Sequence, residues 1–143
     1  MDNQTKLKQF AEHLKQADGL LITAGAGMGV DSGLPDFRGD QGFWKAYPPL
    51  KHLGKSFVDM ATPELFYTDP KLAWGFYGLR LNAYRAVKPH QGFHLLKKWS
   101  ETLPNLKNGS FVFTSNVDGE FQKWDLKTIM SLNVMALFIG YSA

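Results

Sequence analysis

A short apolar run breaks directly into glycines near the start of this chain. Leu20-Leu21-Ile22-Thr23-Ala24 is followed at once by Gly25, Gly27 and Gly29. So brief a run, bounded by glycine, predicts a strand buried on both faces, as in a parallel sheet. Glycines lack side chains, so the main chain after the strand can approach an anionic ligand closely. Amides at the start of a following helix then donate to phosphate oxygens, and the helix dipole favours negative charge there. This is how an α/β fold holds the diphosphate of a dinucleotide. The spacing is G-x-G-x-G, with Val30 where the common fingerprint has its third glycine. By itself such a cluster serves equally well as a tight connection.

The surrounding pattern alternates helix and strand. Leu7, Phe10, Ala11 and Leu14 recur at helical spacing and predict one buried stripe, with Gly19 as the stop. Ser32 to Lys55 carries Pro35, Gly39, Gly42, Pro48, Pro49 and Gly54 and reads as a long loop. Its aromatics, Phe37, Phe43, Trp44 and Tyr47, fit either a binding loop or a loop pinned to the core. Thr62-Pro63-Glu64 and Asp69-Pro70 resemble helix starts with proline in the first turn. The second of these opens a helix with Leu72, Phe76, Leu79 and Ala83 on one stripe and Trp74, Tyr77, Leu81 and Tyr84 beside it. Gly75 and Gly78 inside that helix suggest close packing. Pro89 begins another helix, with Phe93, Leu96 and Leu103 on one face. Ser110 to Thr114 reads as a second buried strand, and Val134 to Ile139 as either a strand or a helix turn.

Composition excludes several classes. The chain has 143 residues, no cysteine and a formal charge of +3. Disulfides and thiolate zinc sites are therefore impossible within it. Lysines and arginines are scattered, with no basic run of the kind that binds nucleic acid. The polar N-terminus lacks a secretory apolar core, and the uncharged stretch from Thr128 to Ala143 is shorter than the ~20 residues of a membrane helix. A cytoplasmic location is the simplest expectation.

Two segments carry the candidate chemistry. Asp36-Phe37-Arg38 places an acid, an aromatic ring and a permanent cation just beyond the glycines. Ser115-Asn116-Val117-Asp118 ends the second strand. Ligands of open α/β sheets bind outside the carboxyl ends of strands, so both segments are expected at one crevice. Asn116 offers donors and an acceptor, and Asp118 two acceptors, a set suited to a carboxamide and ribose hydroxyls. Both residue types are also common turn formers.

Together these segments resemble the sirtuin signature. In that family a GAG turn leads into S-G-I-P-D-F-R-G, and Ser32-Gly33-Leu34-Pro35-Asp36-Phe37-Arg38-Gly39 stands in its place here. Thr114-Ser115-Asn116-Val117-Asp118 resembles the family's T-Q-N-I-D, and Lys88-Pro89 with Phe93-His94 looks like the proline and histidine between the motifs. The resemblance covers Leu20 to about Lys123. It implies an NAD-dependent protein-lysine deacylase with a Rossmann-like parallel sheet, in which the acyl-lysine carbonyl oxygen attacks C1′ of the nicotinamide ribose. Carried over by position, Gly25, Ala26, Gly27 and Gly29 line the phosphates, and Asp36, Phe37 and Arg38 belong to the cofactor loop. Ser115, Asn116 and Asp118 hold the ribose and nicotinamide, with Leu34 and Val117 as apolar walls. NAD is the expected cofactor and an acylated protein the expected partner. The implied domain plan is residues 1–123 as the N-terminal part of the NAD-binding domain, with a helical insertion at about 58–103, and residues 124–143 as a divergent tail.

The departures are as specific as the matches. Gly29 stands where the family usually has serine, Ser115 where it has glutamine, and Phe121 where it often has histidine. After Lys123 the family continues to a His-Gly carrying the general base and then to paired zinc cysteines. This chain has no histidine after His94. A base must reach the proton it takes. The expectation is therefore a fold incomplete at its C-terminal end, without a zinc ribbon, that binds NAD and has no catalytic residue or metal ligand of its own. His90 and His94 read as helix-start or packing residues. Two other readings stay open: an NAD glycohydrolase or ADP-ribosyl transferase, and a non-enzymatic interaction module.

Overall fold

The computed structural model describes residues 2–35, 39–123 and 129–133. The architecture is α/β, in two compact units: residues 1–25 with 89–143, and residues 26–88.

The first unit holds the sheet. Helix α1 (Asn3–Gln16) is capped by Asp2, whose carboxylate accepts the Thr5 amide at 2.7 Å. Strand β1 (Leu20–Ala24) follows, and helix α7 (Gln91–Thr102) leads into β2 (Ser110–Thr114) and β3 (Ile129–Asn133). The strands lie in the order β1-β2-β3, all parallel, with Leu20 level with Ser110 and Ala24 level with Thr114. Entry into β2 is fixed by bonds from the loop after α7 to the end of α1 and the loop beyond it: Asn105 Nδ2 donates to the Lys15 carbonyl at 2.8 Å, and the Asn108 amide to the Asp18 carbonyl at 2.7 Å. Gly109 sits at φ 70°, a left-handed conformation that favours glycine, and its carbonyl accepts the Leu20 amide at 3.0 Å.

Among the described residues, buried and exposed side chains alternate along β1 and β2. Ile22 and Val112 are buried, whereas Leu21 is 67% and Phe113 44% exposed. Burial on both faces was the expectation from the apolar run; the alternation of buried and exposed residues corrects it. Helix α1 is where periodicity predicts it, yet none of its residues is buried, and Leu7 and Phe10 are exposed. Phe10 meets Trp99 of α7 with ring centroids 6.1 Å apart, which is the ring contact its stripe makes. Gly19 is not the helix stop either: α1 ends at Gln16, and the extended Ala17 caps it. Aromatic packing in this unit joins α7 to the segment after β2, where Phe93 stands edge-on to Phe121 and both are buried.

The second unit opens with a 3-10 helix, Ala26–Ser32, and is otherwise α-helical: α2 (Gly39–Ala46), α3 (Pro48–His52), α4 (Phe57–Met60), α5 (Leu65–Thr68) and α6 (Pro70–Ala86). Two short helices thus occupy the stretch that its prolines and glycines marked as a loop. Pro48 and Pro49 begin α3 rather than interrupt one, since proline suits the first helical turn. Phe43, Trp44 and Tyr47 pin this stretch to a core. Phe43 is fully buried among Leu50, Met60, Leu65, Ala73 and Phe76, with Trp44 and Tyr47 packed against the cluster. The Trp44 indole donates to the Lys55 carbonyl at 2.8 Å, satisfying the ring nitrogen while the ring packs.

Helix α4 carries a reciprocal cap. Ser56 Oγ accepts the Asp59 amide at 3.2 Å, and Asp59 Oδ2 accepts the Ser56 amide at 2.8 Å. Asp69 caps α6 as expected, accepting the Leu72 amide at 3.0 Å. Thr62-Pro63-Glu64 forms a hydrogen-bonded turn ahead of α5: the Leu65 amide donates to the Thr62 carbonyl at 3.3 Å and the Glu64 amide to Thr62 Oγ1 at 3.4 Å, while the α-helix itself begins at Leu65. On α6 Ala73 and Phe76 are buried while Leu79 is exposed. A Cβ built on Gly75 or Gly78 meets nothing within 4 Å, so these glycines do not serve close packing. The Arg80 guanidinium lies over Phe57 and Phe76, 5.4 and 5.3 Å from their centroids, and donates to the Tyr84 hydroxyl.

Candidate functional site

Strands β1 and β2 are parallel and end level, so whatever follows Ala24 and Thr114 emerges from the same edge of the sheet. Beyond β2 the chain turns through Ser115 and buries Asn116, which is 8% exposed. The Asn116 side chain reaches across the strand ends, and its Nδ2 donates to the Gly25 carbonyl at 2.9 Å. Gly25 and Asn116, paired from sequence as parts of one crevice, therefore stand in direct contact. Sequence reasoning did not single out Thr114, whose hydroxyl donates to the Ala24 carbonyl at 2.8 Å and accepts the Asn116 amide at 3.0 Å. The signal was available: a polar, β-branched residue closing an otherwise apolar strand.

Asp118 follows in a tight turn. Its Oδ1 accepts the Glu120 amide at 3.0 Å, and Gly119 between them adopts φ 71°. Burial raises the Asp118 carboxyl above the ordinary range, opposed by the Glu120 amide and the positive Lys123. Ser115 and Val117 are exposed on either side of the buried Asn116. Glu120 is wholly buried directly after this turn.

Gly25 itself is exposed, and a Cβ built on it meets nothing within 4 Å. Among the described residues no atom stands where its side chain would be, and open ground beside the Cα suits close approach by a ligand. The helix that follows is 3-10 in form, running from Ala26 through Gly27 and the buried Gly29. It closes on a turn in which the Leu34 amide donates to the Gly29 carbonyl at 3.1 Å and Gly33 stands at φ 97°. Leu34 is buried within this unit. Asp36, Phe37 and Arg38, the other residues expected in the cofactor loop, lie outside the described residues, as do residues 134–139.

His90 is engaged structurally. It caps α7, with Nδ1 accepting the Gly92 amide at 2.9 Å, and its ring stands against Phe93. Among the described residues, no cluster of histidine and carboxylate side chains could hold a metal ion, and no helix is long and apolar enough to cross a membrane.

Residues 25–133 match the model of the Sir2 family. An NAD-dependent protein deacylase of Candida albicans is 38% identical over 114 residues, covering 80% of this chain and 34% of the relative. A deacylase of Aquifex aeolicus is 32% identical over 114 residues, covering 80% of this chain and 43% of its own. A solved Sir2 homologue in complex with NAD superposes with a TM-score of 0.62 at 25% identity, over 87% of this chain and 44% of that one. The motif order, the parallel sheet and these likenesses agree: the chain belongs to the Sir2 family. It spans less than half the length of the relatives it matches.

Proposed function

We propose that this polypeptide is the N-terminal part of a sirtuin NAD-binding domain, residues 1–123, and that it captures NAD at the carboxyl ends of β1 and β2. The observation that carries this reading is the bond from Asn116 to the Gly25 carbonyl, which joins the two family motifs at the strand ends. Relatives named as NAD-dependent deacylases, and a homologue solved with NAD, support the choice of ligand.

Main-chain amides from Gly25 through Gly29 face the diphosphate. The family resemblance assigns Asn116 and Asp118, with Ser115, to the nicotinamide ribose, and Leu34 and Val117 to apolar contacts with the cofactor. Asp36, Phe37 and Arg38 complete the cofactor loop. When bound, NAD supplies the reactive C1′ centre; these residues bind and orient it.

The family reaction removes an acyl group from protein lysine and needs a general base. These 143 residues contain no histidine after His94, and His90 is engaged as a helix cap. On this reading the polypeptide binds NAD without completing deacylation by itself, and an acylated protein is the partner that the family resemblance implies.

Calorimetric titration with NAD tests the reading. Saturable binding that Asn116→Ala weakens by about tenfold, the loss of one or two good hydrogen bonds, is the expected result. A folded chain that takes up no NAD overturns it. Deacylation of an acetyl-lysine peptide by these residues alone overturns the second part.

A further inference from the structure

The end of β2 is fastened to the end of β1 by two side-chain bonds, and a third, within the turn after β2, links the two residues that make them. Thr114 Oγ1 donates to the Ala24 carbonyl at 2.8 Å and accepts the Asn116 amide at 3.0 Å. Asn116 Nδ2 then donates to the Gly25 carbonyl at 2.9 Å. Thr114 is 2% exposed. A hydroxyl has one donor and two acceptor positions, so one Oγ1 fills both roles at once. The consequence lies in the next peptide. A trans peptide is planar, with its N–H antiparallel to its carbonyl. Holding the Gly25 carbonyl on Asn116 therefore turns the Ala26 N–H to the opposite side.

We propose that Thr114 is the positioning residue of the cofactor site: its hydroxyl sets the Asn116 loop, and through Asn116 it fixes the Gly25–Ala26 peptide whose amide meets the diphosphate. This rests on the NAD reading above. Thr114 touches no ligand; it acts by removing the freedom of the two groups that do. A loop that must find its conformation on binding loses affinity to the cost of ordering, and a loop already fastened does not.

The test uses the full 143-residue chain and ADP-ribose as probe. Thr114→Val keeps the shape and removes both hydroxyl bonds, leaving a buried carbonyl and a buried amide without their partner. Thr114→Ser restores both. Thr114→Val weakens ADP-ribose by about tenfold or more, and Thr114→Ser stays within about twofold of the unsubstituted chain. In Thr114→Val the Asn116 amide exchanges with solvent faster, and the Ala26 amide resonance no longer shifts at the original ADP-ribose midpoint.

A merely structural threonine would lower the melting temperature and leave the affinity of the folded fraction unchanged. Unchanged ADP-ribose affinity in folded Thr114→Val overturns the proposal, as does a serine variant as weak as the valine. Should the valine variant not fold, amide exchange in the unsubstituted chain decides. Protection of the Asn116 amide that rises with ADP-ribose is then required, and exchange at open-loop rates overturns the assignment. Absence of ADP-ribose binding by the folded, unsubstituted chain overturns the NAD reading and this one with it. Binding that ignores the loss of the hydroxyl overturns this one alone.

Discussion

Phe121 stands edge-on to Phe93, ring centroids 4.8 Å apart and planes at 65°, and this pair ties the segment after the Asp118 turn to helix α7. The family often has histidine at the Phe121 position. An imidazole there would have to satisfy its nitrogens in a place that is 5% exposed, and phenylalanine has no such demand. Phe121→Ala is expected to cost about 3–5 kcal/mol, the usual range for deleting a buried aromatic ring. Urea unfolding of the two proteins checks it; a loss below about 1 kcal/mol would show that the ring is not a core member.

Asp118 yields a pH dependence of definite sign. Burial raises its carboxyl in the folded chain, so ionisation disfavours the native state. Its effect on stability is smallest below the unfolded value of 3.8 and grows unfavourable as pH rises through the raised folded value. Asp118→Asn keeps an oxygen for the Glu120 amide and removes the charge. The variant is expected to be more stable than the parent at about pH 7, with the difference vanishing as pH falls toward 3.8. Denaturant midpoints across that window measure it, and a gap that widens at low pH would reverse the assignment. The same variant is expected to bind NAD more weakly, since the ribose hydroxyls lose an ionised acceptor.

Two glycines make a paired prediction. Gly33 adopts φ 97°, so Gly33→Ala is expected to cost about 1–2 kcal/mol in backbone strain. Gly75 lies inside α6, where an added Cβ meets nothing within 4 Å. Gly75→Ala is expected to stabilise by about 0.8–1 kcal/mol through helix propensity. Thermal melts of both variants decide, and like signs would contradict the backbone geometry.

The helical unit depends on Phe43, which is fully buried at the centre of its cluster. Phe43→Ala is expected to cost about 3–5 kcal/mol. The Trp44→Phe change, which keeps an aromatic group but shrinks it and removes the bond to the Lys55 carbonyl, is expected to cost about 1–2 kcal/mol. Equal losses from the two, measured by urea unfolding, would mean that the indole bond carries more than its packing.

Much of the site was legible from residue order alone. A strand that stops at Ala24 and another that stops at Thr114 are both visible as short apolar runs closed by glycine or by polar turn residues. Their parallel pairing follows from the long crossover between them. The contact of Gly25 with Asn116 was legible only as a shared crevice, because which donor takes which carbonyl depends on side-chain reach and not on spacing. Thr114 escaped notice since a terminal threonine on a strand is equally good as a plain strand former. Helix α3 escaped because Pro48 and Pro49 occupy its first turn, and a proline at a helix start has the same residue signature as one in a loop; α2 escaped because Gly39 and Gly42 lie within it. The alternating burial along β1 and β2 was hidden too. Leu21 and Phe113 are as apolar as their buried neighbours, and hydrophobicity does not report which face is covered.

The level pairing of Ala24 with Thr114 and of Leu20 with Ser110 has a consequence for how this polypeptide tolerates change. Side chains on a strand alternate with a period of two, so inserting or deleting one residue inside Leu20–Ala24 or Ser110–Thr114 would invert every following position. Val112 would move into solvent, and the hydroxyl that fastens the strand ends would leave their common edge. Length variants should therefore collect in the connections, such as the turn from Pro104 to Asn108, while both five-residue strands keep their length.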